Sequence, residues 1–180
     1  MNLVGNLETS TISLRNNSST GAGGAGLIIA EGTATYAITG NTIADSGGPG
    51  LCLIDLESPG SARAENNTIT DAVGIGVEVL RNSAEVELLA NTITGTSVAE
   101  VGPIDRDAAM AYGVALFDSK ATTIRNNRIQ ENESAGILAD MTDWGIYFRR
   151  PDLSGDSNVV VRENTYGSNG GGRNLVLQNI

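Results

Sequence analysis

The chain contains no histidine, and this absence removes several enzyme classes. Ser-His-Asp and Cys-His nucleophile systems need an imidazole base, and many zinc sites use histidine ligands. Cys52 is the only cysteine, so no internal disulfide can form. Cysteine usage therefore does not indicate whether the protein resides in an oxidising or a reducing compartment. We expect Cys52 to be a small, buried or half-buried residue.

Aromatic and basic residues are also scarce. Aromatics make up 4% of the chain against 40% hydrophobic residues, so the core must be thin and aliphatic. Eleven lysines and arginines stand against 21 acids, which gives a net charge of −10. A surface of this sign repels a phosphate backbone, so nucleic acid is excluded as the expected partner.

No apolar run approaches the roughly 18 residues needed to cross a membrane. Residues 1–10 also lack the basic start and apolar stretch of a secretion signal. At 180 residues the chain is predicted to be a single domain, 1–180. Neither end shows the polar cap that solenoids need, so we expect a segment of a longer protein.

A phrase built on Asn-Thr-Ile recurs along the chain. Its anchor asparagines are Asn17, Asn41, Asn67, Asn91, Asn127 and Asn164. They stand 24, 26, 24, 36 and 37 residues apart. A period near 24 with two later insertions is typical of a solenoid.

Apolar residues alternate on both sides of each anchor, which predicts two short strands joined by a bend. A glycine nine residues after the anchor opens a third strand in four coils, at Gly26, Gly50, Gly76 and Gly136. We expect the anchor asparagine to adopt the left-handed conformation at the bend and to stack on its neighbours as a ladder.

The pattern Ile-x-x-Asn-x-Ile, followed by glycine and alternating aliphatic residues, resembles the right-handed parallel β-helix repeats of the pectin-lyase-like superfamily. The resemblance implies an all-β, single-stranded, right-handed parallel β-helix of about six coils. It also implies a secreted or cell-envelope setting and a polysaccharide ligand. The paired aspartates and Gly-His-Gly of the similar polygalacturonases are missing here.

Two insertions, near residues 96–112 and 141–158, are predicted to frame a groove across the glycine-led strands. Long loops on a rigid scaffold are where function most often lies. In the second insertion, Trp144 and Tyr147 are candidates for stacking on sugar rings. Arg149 and Arg150 are candidates for pairing with uronate or sulfate groups, although a loop that packs its own aromatics is the alternative.

Acids cluster just after the glycine-led strands, where Arg81 also stands: Glu31, Asp55, Glu57, Asp118 and Asp140, with Glu78 nearby. Asp118 and Asp140 are the candidate metal ligands, for Ca²⁺, and candidate ligand-binding residues together with Phe117. A solvated edge is the alternative. The outward positions of the same strands are apolar, which predicts cover by the insertions or a side-by-side oligomer: Ile28, Cys52, Ile54, Phe117, Leu138 and Val176.

Two functions remain open at this point. The first is a non-catalytic module that binds a carbohydrate polymer or serves as a scaffold, with no cofactor. The second is a polysaccharide-acting enzyme, of which a Ca²⁺-assisted uronan lyase is the form that needs no histidine. In that scheme Arg81, Arg149 or Arg150 would act as the base.

Overall fold

The computed structural model describes residues 2–4, 10–98, 111–133, 135–140, 158–169 and 174–178. These residues form short strands, and every pair of neighbouring strands is parallel. The strands are β1 (Asn2–Val4), β2 (Thr11–Arg15), β3 (Ser18–Thr20), β4 (Leu27–Gly32), β5 (Thr35–Thr39), β6 (Thr42–Ala44), β7 (Leu51–Leu56), β8 (Ser61–Glu65), β9 (Thr68–Thr70), β10 (Ile75–Leu80), β11 (Glu85–Leu89), β12 (Thr92–Thr94), β13 (Tyr112–Phe117), β14 (Ala121–Arg125), β15 (Arg128–Gln130), β16 (Ala135–Asp140), β17 (Asn158–Arg162), β18 (Thr165–Gly167) and β19 (Leu175–Gln178).

The strands form three parallel sheets. Sheet A has seven strands in the order β1-β4-β7-β10-β13-β16-β19, and sheets B and C have six each. Sheet B follows the order β17-β14-β11-β8-β5-β2, and sheet C follows β18-β15-β12-β9-β6-β3. Each turn of the chain therefore adds one strand to A, then B, then C, and the predicted parallel β-helix is confirmed. The described residues include no helix with the length and apolar character needed to cross a bilayer.

Alternate strand residues point into the space between the sheets and form the core. In sheet A the inward column includes Leu53, Val79 and Leu116, each with no exposed surface. The columns that the sequence placed before and after the anchor asparagine are buried in the same way, as Ile38, Leu88 and Ile93 show. Apart from Tyr36, the buried residues of this core cluster are aliphatic, as the composition predicted.

The predicted asparagine ladder is confirmed and runs through the interior. Each anchor side chain donates from Nδ2 to Oδ1 of the next anchor at 2.9–3.0 Å, from Asn17 through Asn164. The backbone N–H of each anchor donates to the same Oδ1 atom. The ladder thus satisfies polar groups at the B–C corner that would otherwise be buried without partners.

The left-handed residue at this corner is not the anchor, so that prediction was wrong. Positive φ falls one residue earlier, at Asn16, Gly40, Asn66, Ala90, Asn126 and Glu163. The reason is geometric, since the anchor must turn its amide inward to reach the neighbouring coils. The residue before it faces outward and takes the backbone bend.

The other two corners also contain buried asparagines that hydrogen-bond to neighbouring coils, but these extend over fewer coils. At the C–A corner, Asn132 donates to Asn169 and accepts a bond from Thr96. At the A–B corner, Asn82 accepts from the Leu56 N–H and donates to the Leu53 carbonyl. A left-handed residue precedes Asn82, Asn132 and Asn169 alike.

The Thr122 hydroxyl is buried without a hydrogen-bond partner among the described residues. Its register neighbours on β11 and β17 are Val86 and Val159. We therefore expect Thr122→Val to raise the free energy of unfolding by about 1 kcal/mol, because it removes an unpaired polar atom at nearly constant volume. Urea unfolding would measure this. The outward-facing Thr123→Val is the control, and an equal gain there would contradict the explanation.

Candidate functional site

The candidate site lies on the outer face of sheet A, across strands β7, β10 and β13. Here Cys52, Glu78 and Ala115 are register neighbours on the side opposite the core column. A second outward column joins Ile54, Leu80 and Phe117. Two of the predicted outward apolar residues, Cys52 and Phe117, are nearly covered, at 3% and 4% exposure.

An apolar cluster on this outer face is separate from the interior core. It consists of buried Ile75, Ala115 and Phe117, with half-buried Leu80 and Tyr112 packed against them. Phe117 is only 4% exposed, so the surface available to a ligand belongs to Leu80 and Tyr112. Tyr112 was not among the predicted site residues, although an aromatic residue directly before a strand-opening glycine was a usable signal in so aromatic-poor a chain.

An ion pair lies beside this cluster, at the corner between sheets A and B. Arg81 donates from Nε to Asp55 Oδ1 at 3.1 Å and from Nη2 to Oδ2 at 2.7 Å. Both side chains are only 13% exposed. Because the planar guanidinium is engaged at two positions by one carboxylate, Arg81 is held in place and poorly suited to act as a base.

Positive φ continues along this corner at Glu31, Asp55, Arg81 and Asp118. The left-handed backbone turns the chain from sheet A towards sheet B. It is a consequence of the coil geometry, because the equivalent residue in each of these four coils adopts it.

Glu78 and Cys52 form a polar pair within the outer face. The Cys52 thiol donates to Glu78 Oε2 with an Sγ–Oε2 distance of 3.5 Å. Burial raises the pKa of Glu78, and the Cys52 hydrogen bond and the Arg81 charge offset part of that rise. Burial, and then the Glu78 charge, raises the pKa of Cys52 far above its ordinary range, so the thiol stays protonated and unreactive.

The raised pKa of Glu78 makes the stability of the fold depend on pH. Above the ordinary pKa of 4.5 the unfolded chain loses the proton while the folded protein keeps it, so stability falls as pH rises through this window. We expect Glu78→Gln to remove that fall, because the amide carries no titrating proton. The advantage of the variant should be absent near about pH 4 and present near about pH 7.

Urea unfolding at both pH values would measure the effect. Exposed Glu85→Gln on β11 controls for removing one surface charge. A Glu78→Gln advantage that is the same at both pH values would contradict the assignment.

The predicted metal ligands are placed only in part. Register pairs Asp140 with Phe117, and Asp118 follows Phe117, so the two aspartates occupy consecutive register positions on adjacent coils. Within the described part of the chain, no group of three or more potential His, Cys, Asp or Glu ligands could hold a metal ion. Asp118 and Asp140 remain predictions. Trp144, Tyr147, Arg149 and Arg150 lie outside the described residues.

The two predicted insertions are attached on neighbouring strands. Regular pairing runs to Ser97, whose N–H donates to the Ala72 carbonyl, and resumes with β13 at Tyr112. The second insertion leaves the carboxyl end of β16, directly after Asp140. Since β13 and β16 are adjacent in sheet A, the chain enters and leaves this part of the face at opposite strand ends.

A cavity of about 270 Å³ lies elsewhere, inside the first coil, between Leu14, Leu27 and Ile43. Ser19 stands there at the position that Ile43, Ile69, Ile93 and Ile129 fill in later coils. This cavity is partly open to solvent, and it is separate from the outer face of sheet A.

Comparison with known proteins agrees with this geometry. The family described as right handed beta helix region matches residues 4–93 and, in an overlapping match, residues 27–179. No curated protein and no solved structure matches the chain. The family description specifies a fold and its hand, and it names no activity or ligand. The chain therefore belongs to the right-handed β-helix family.

Proposed function

We propose that the protein is a non-catalytic β-helix module that binds a carbohydrate polymer on the outer face of sheet A, in a secreted or cell-envelope setting. The observation that carries the proposal is the outer apolar cluster. It is separate from the core, and the side chains of Leu80 and Tyr112 within it are partly exposed to solvent. An apolar patch on a solvent face typically marks a binding surface.

The chemistry of the face suits a sugar chain. The C–H faces of sugar rings pack on aromatic and aliphatic side chains, and Tyr112 and Leu80 supply both kinds. Glu78 is in register with Ala115 of the cluster and Asp118 directly follows Phe117, and carboxylates are acceptors for hydroxyl groups. Parallel strands about 4.8 Å apart hold these groups at fixed positions, which keeps the entropic cost of ordering the site low.

The catalytic alternative has less support among the described residues. A Ca²⁺-assisted lyase needs a free arginine near stacked carboxylates, whereas Arg81 is bound at two positions by Asp55. In that alternative Ca²⁺ would lie between Asp118 and Asp140, and Arg149 or Arg150 would act as the base. The proposed module needs no cofactor.

Binding to a panel of immobilised polysaccharides tests the proposal. We expect Tyr112→Ala to weaken binding of the recognised polymer at least about tenfold, because it removes an aromatic contact. Val160→Ala is the matched control, since Val160 is an exposed apolar residue, 37% exposed, on the outer face of sheet B. No binding by the wild type, or equal loss in both variants, would reject the proposal.

The same polymers, incubated with Ca²⁺ and separately with a chelator, test for lyase activity. Unsaturated uronate product that requires Ca²⁺ and is lost in Arg149→Ala would establish the catalytic alternative. Size-exclusion chromatography with light scattering addresses the third possibility, since a dimer disrupted by Tyr112→Ala would assign the face to self-association.

A further inference from the structure

Charge is segregated among the three sheets. The described strands of sheet A contain no lysine or arginine, and they hold four acids: Glu31, Asp55, Glu78 and Asp140. The arginines within strands all belong to sheets B and C: Arg15, Arg63, Arg125, Arg128 and Arg162. The described strands of sheet A thus hold acids and no basic residues, although the chain has eleven basic residues.

Arg81, a cation at the described edge of sheet A, is neutralised within the protein. Arg81 follows β10 and donates to both Asp55 oxygens, at 3.1 and 2.7 Å. With each side chain 13% exposed, a ligand carboxylate would have to displace Asp55 in order to pair with Arg81. On sheet B, Arg63 also pairs with acids, Glu65 and Glu87, but its side chain is 46% exposed. The Arg81 side chain is therefore much less accessible to a ligand than the Arg63 side chain.

From this charge distribution we infer that the sheet A face recognises a neutral, hydroxyl-rich polysaccharide and rejects uronans and other polyanions. The inference rests on the proposed function and specifies its ligand class. Hydroxyl groups are donors that carboxylates accept, whereas a ligand carboxylate meets like charge and finds no lysine or arginine within the described strands of sheet A. Repulsion of this kind is an effective source of specificity.

The test compares wild-type affinity for neutral polymers, such as a β-glucan and a mannan, with affinity for polygalacturonate and alginate. We expect neutral polymers to bind at least about tenfold more tightly than uronans near 0.15 M salt. Affinity for the neutral polymer should change less than about twofold between low and high salt, because no ion pairs form on binding.

A gain-of-function variant provides the second arm. Asp55→Asn keeps the shape of the side chain and suits its left-handed backbone, and it removes the negative charge that pairs with the Arg81 guanidinium. We expect uronan affinity to rise about fivefold or more while neutral binding changes little. Glu65→Gln, which weakens the Arg63 pairs on sheet B, is the matched control and should not alter either affinity.

The experimental outcomes distinguish failure of the neutral-ligand inference from failure of the proposed binding function. A wild type that prefers uronans, with strong salt dependence, would overturn the neutral-ligand inference and leave the binding module standing. A wild type that binds no polysaccharide would reject both. Circular dichroism verifies the fold of Asp55→Asn, and should that variant unfold, Glu78→Gln replaces it, with a smaller gain in uronan affinity expected.

Discussion

Replacing Asn67 with alanine is expected to lower the free energy of unfolding by about 4 kcal/mol, because it opens the ladder in its middle. Asn67 is 1% exposed and accepts from both the backbone N–H and Nδ2 of Asn41, each at 2.9 Å. It also donates to the Ile38 carbonyl and to Asn91 Oδ1. The variant leaves these groups buried between coils that stay too close together to admit water.

Chemical denaturation, followed by circular dichroism, would measure the loss. The matched control is Asn66→Gly, one residue earlier. Asn66 is exposed with a φ of 55°, a conformation that glycine adopts freely, so we expect a change within about 0.5 kcal/mol. Equal losses in both variants would show that the corner backbone, and not the buried amide, stabilises the fold.

The fold was predictable because each coil repeats the same physical requirement. A buried amide must bond to its neighbours, so the Asn67 phrase recurs at every corner between sheets B and C. The assignment of the left-handed residue failed because both Asn66 and Asn67 tolerate that conformation. Periodicity alone does not say which of two adjacent asparagines faces the core.

The outer-face site was predictable only in outline. The glycine-led strands and the acids after them directed the prediction to sheet A, but Asp55 and Arg81 lie 26 residues apart. Their pairing depends on the register of β7 and β10, which follows from the coil length. The burial of Tyr112 and Glu78 was not predictable from the sequence, because their environment is set by neighbours on other coils.

Gly76→Ala is expected to cost about 3 kcal/mol, through overpacking between coils. A Cβ at Gly76 would lie 2.5 Å from the Gly113 carbonyl oxygen and 2.5 Å from Ile93 Cγ2. The oxygen belongs to the backbone of the next coil, so it cannot rotate away as a side-chain end could. Gly50 and Gly113 meet the same pair of obstacles, a glycine carbonyl and an isoleucine methyl of a neighbouring strand. Their column is therefore required by the close approach of coils.

Gly23→Ala separates this steric effect from the general effect of replacing glycine. A Cβ at Gly23 meets no atom within 4 Å, so we expect that variant to change stability by less than about 0.5 kcal/mol, or to stabilise slightly by restricting the unfolded chain. Urea midpoints of the two variants, measured side by side, decide the matter. If Gly76→Ala proved as mild as Gly23→Ala, the coils would have to be able to move apart, and the fixed spacing that places Glu78, Tyr112 and Arg81 on one rigid face would not hold.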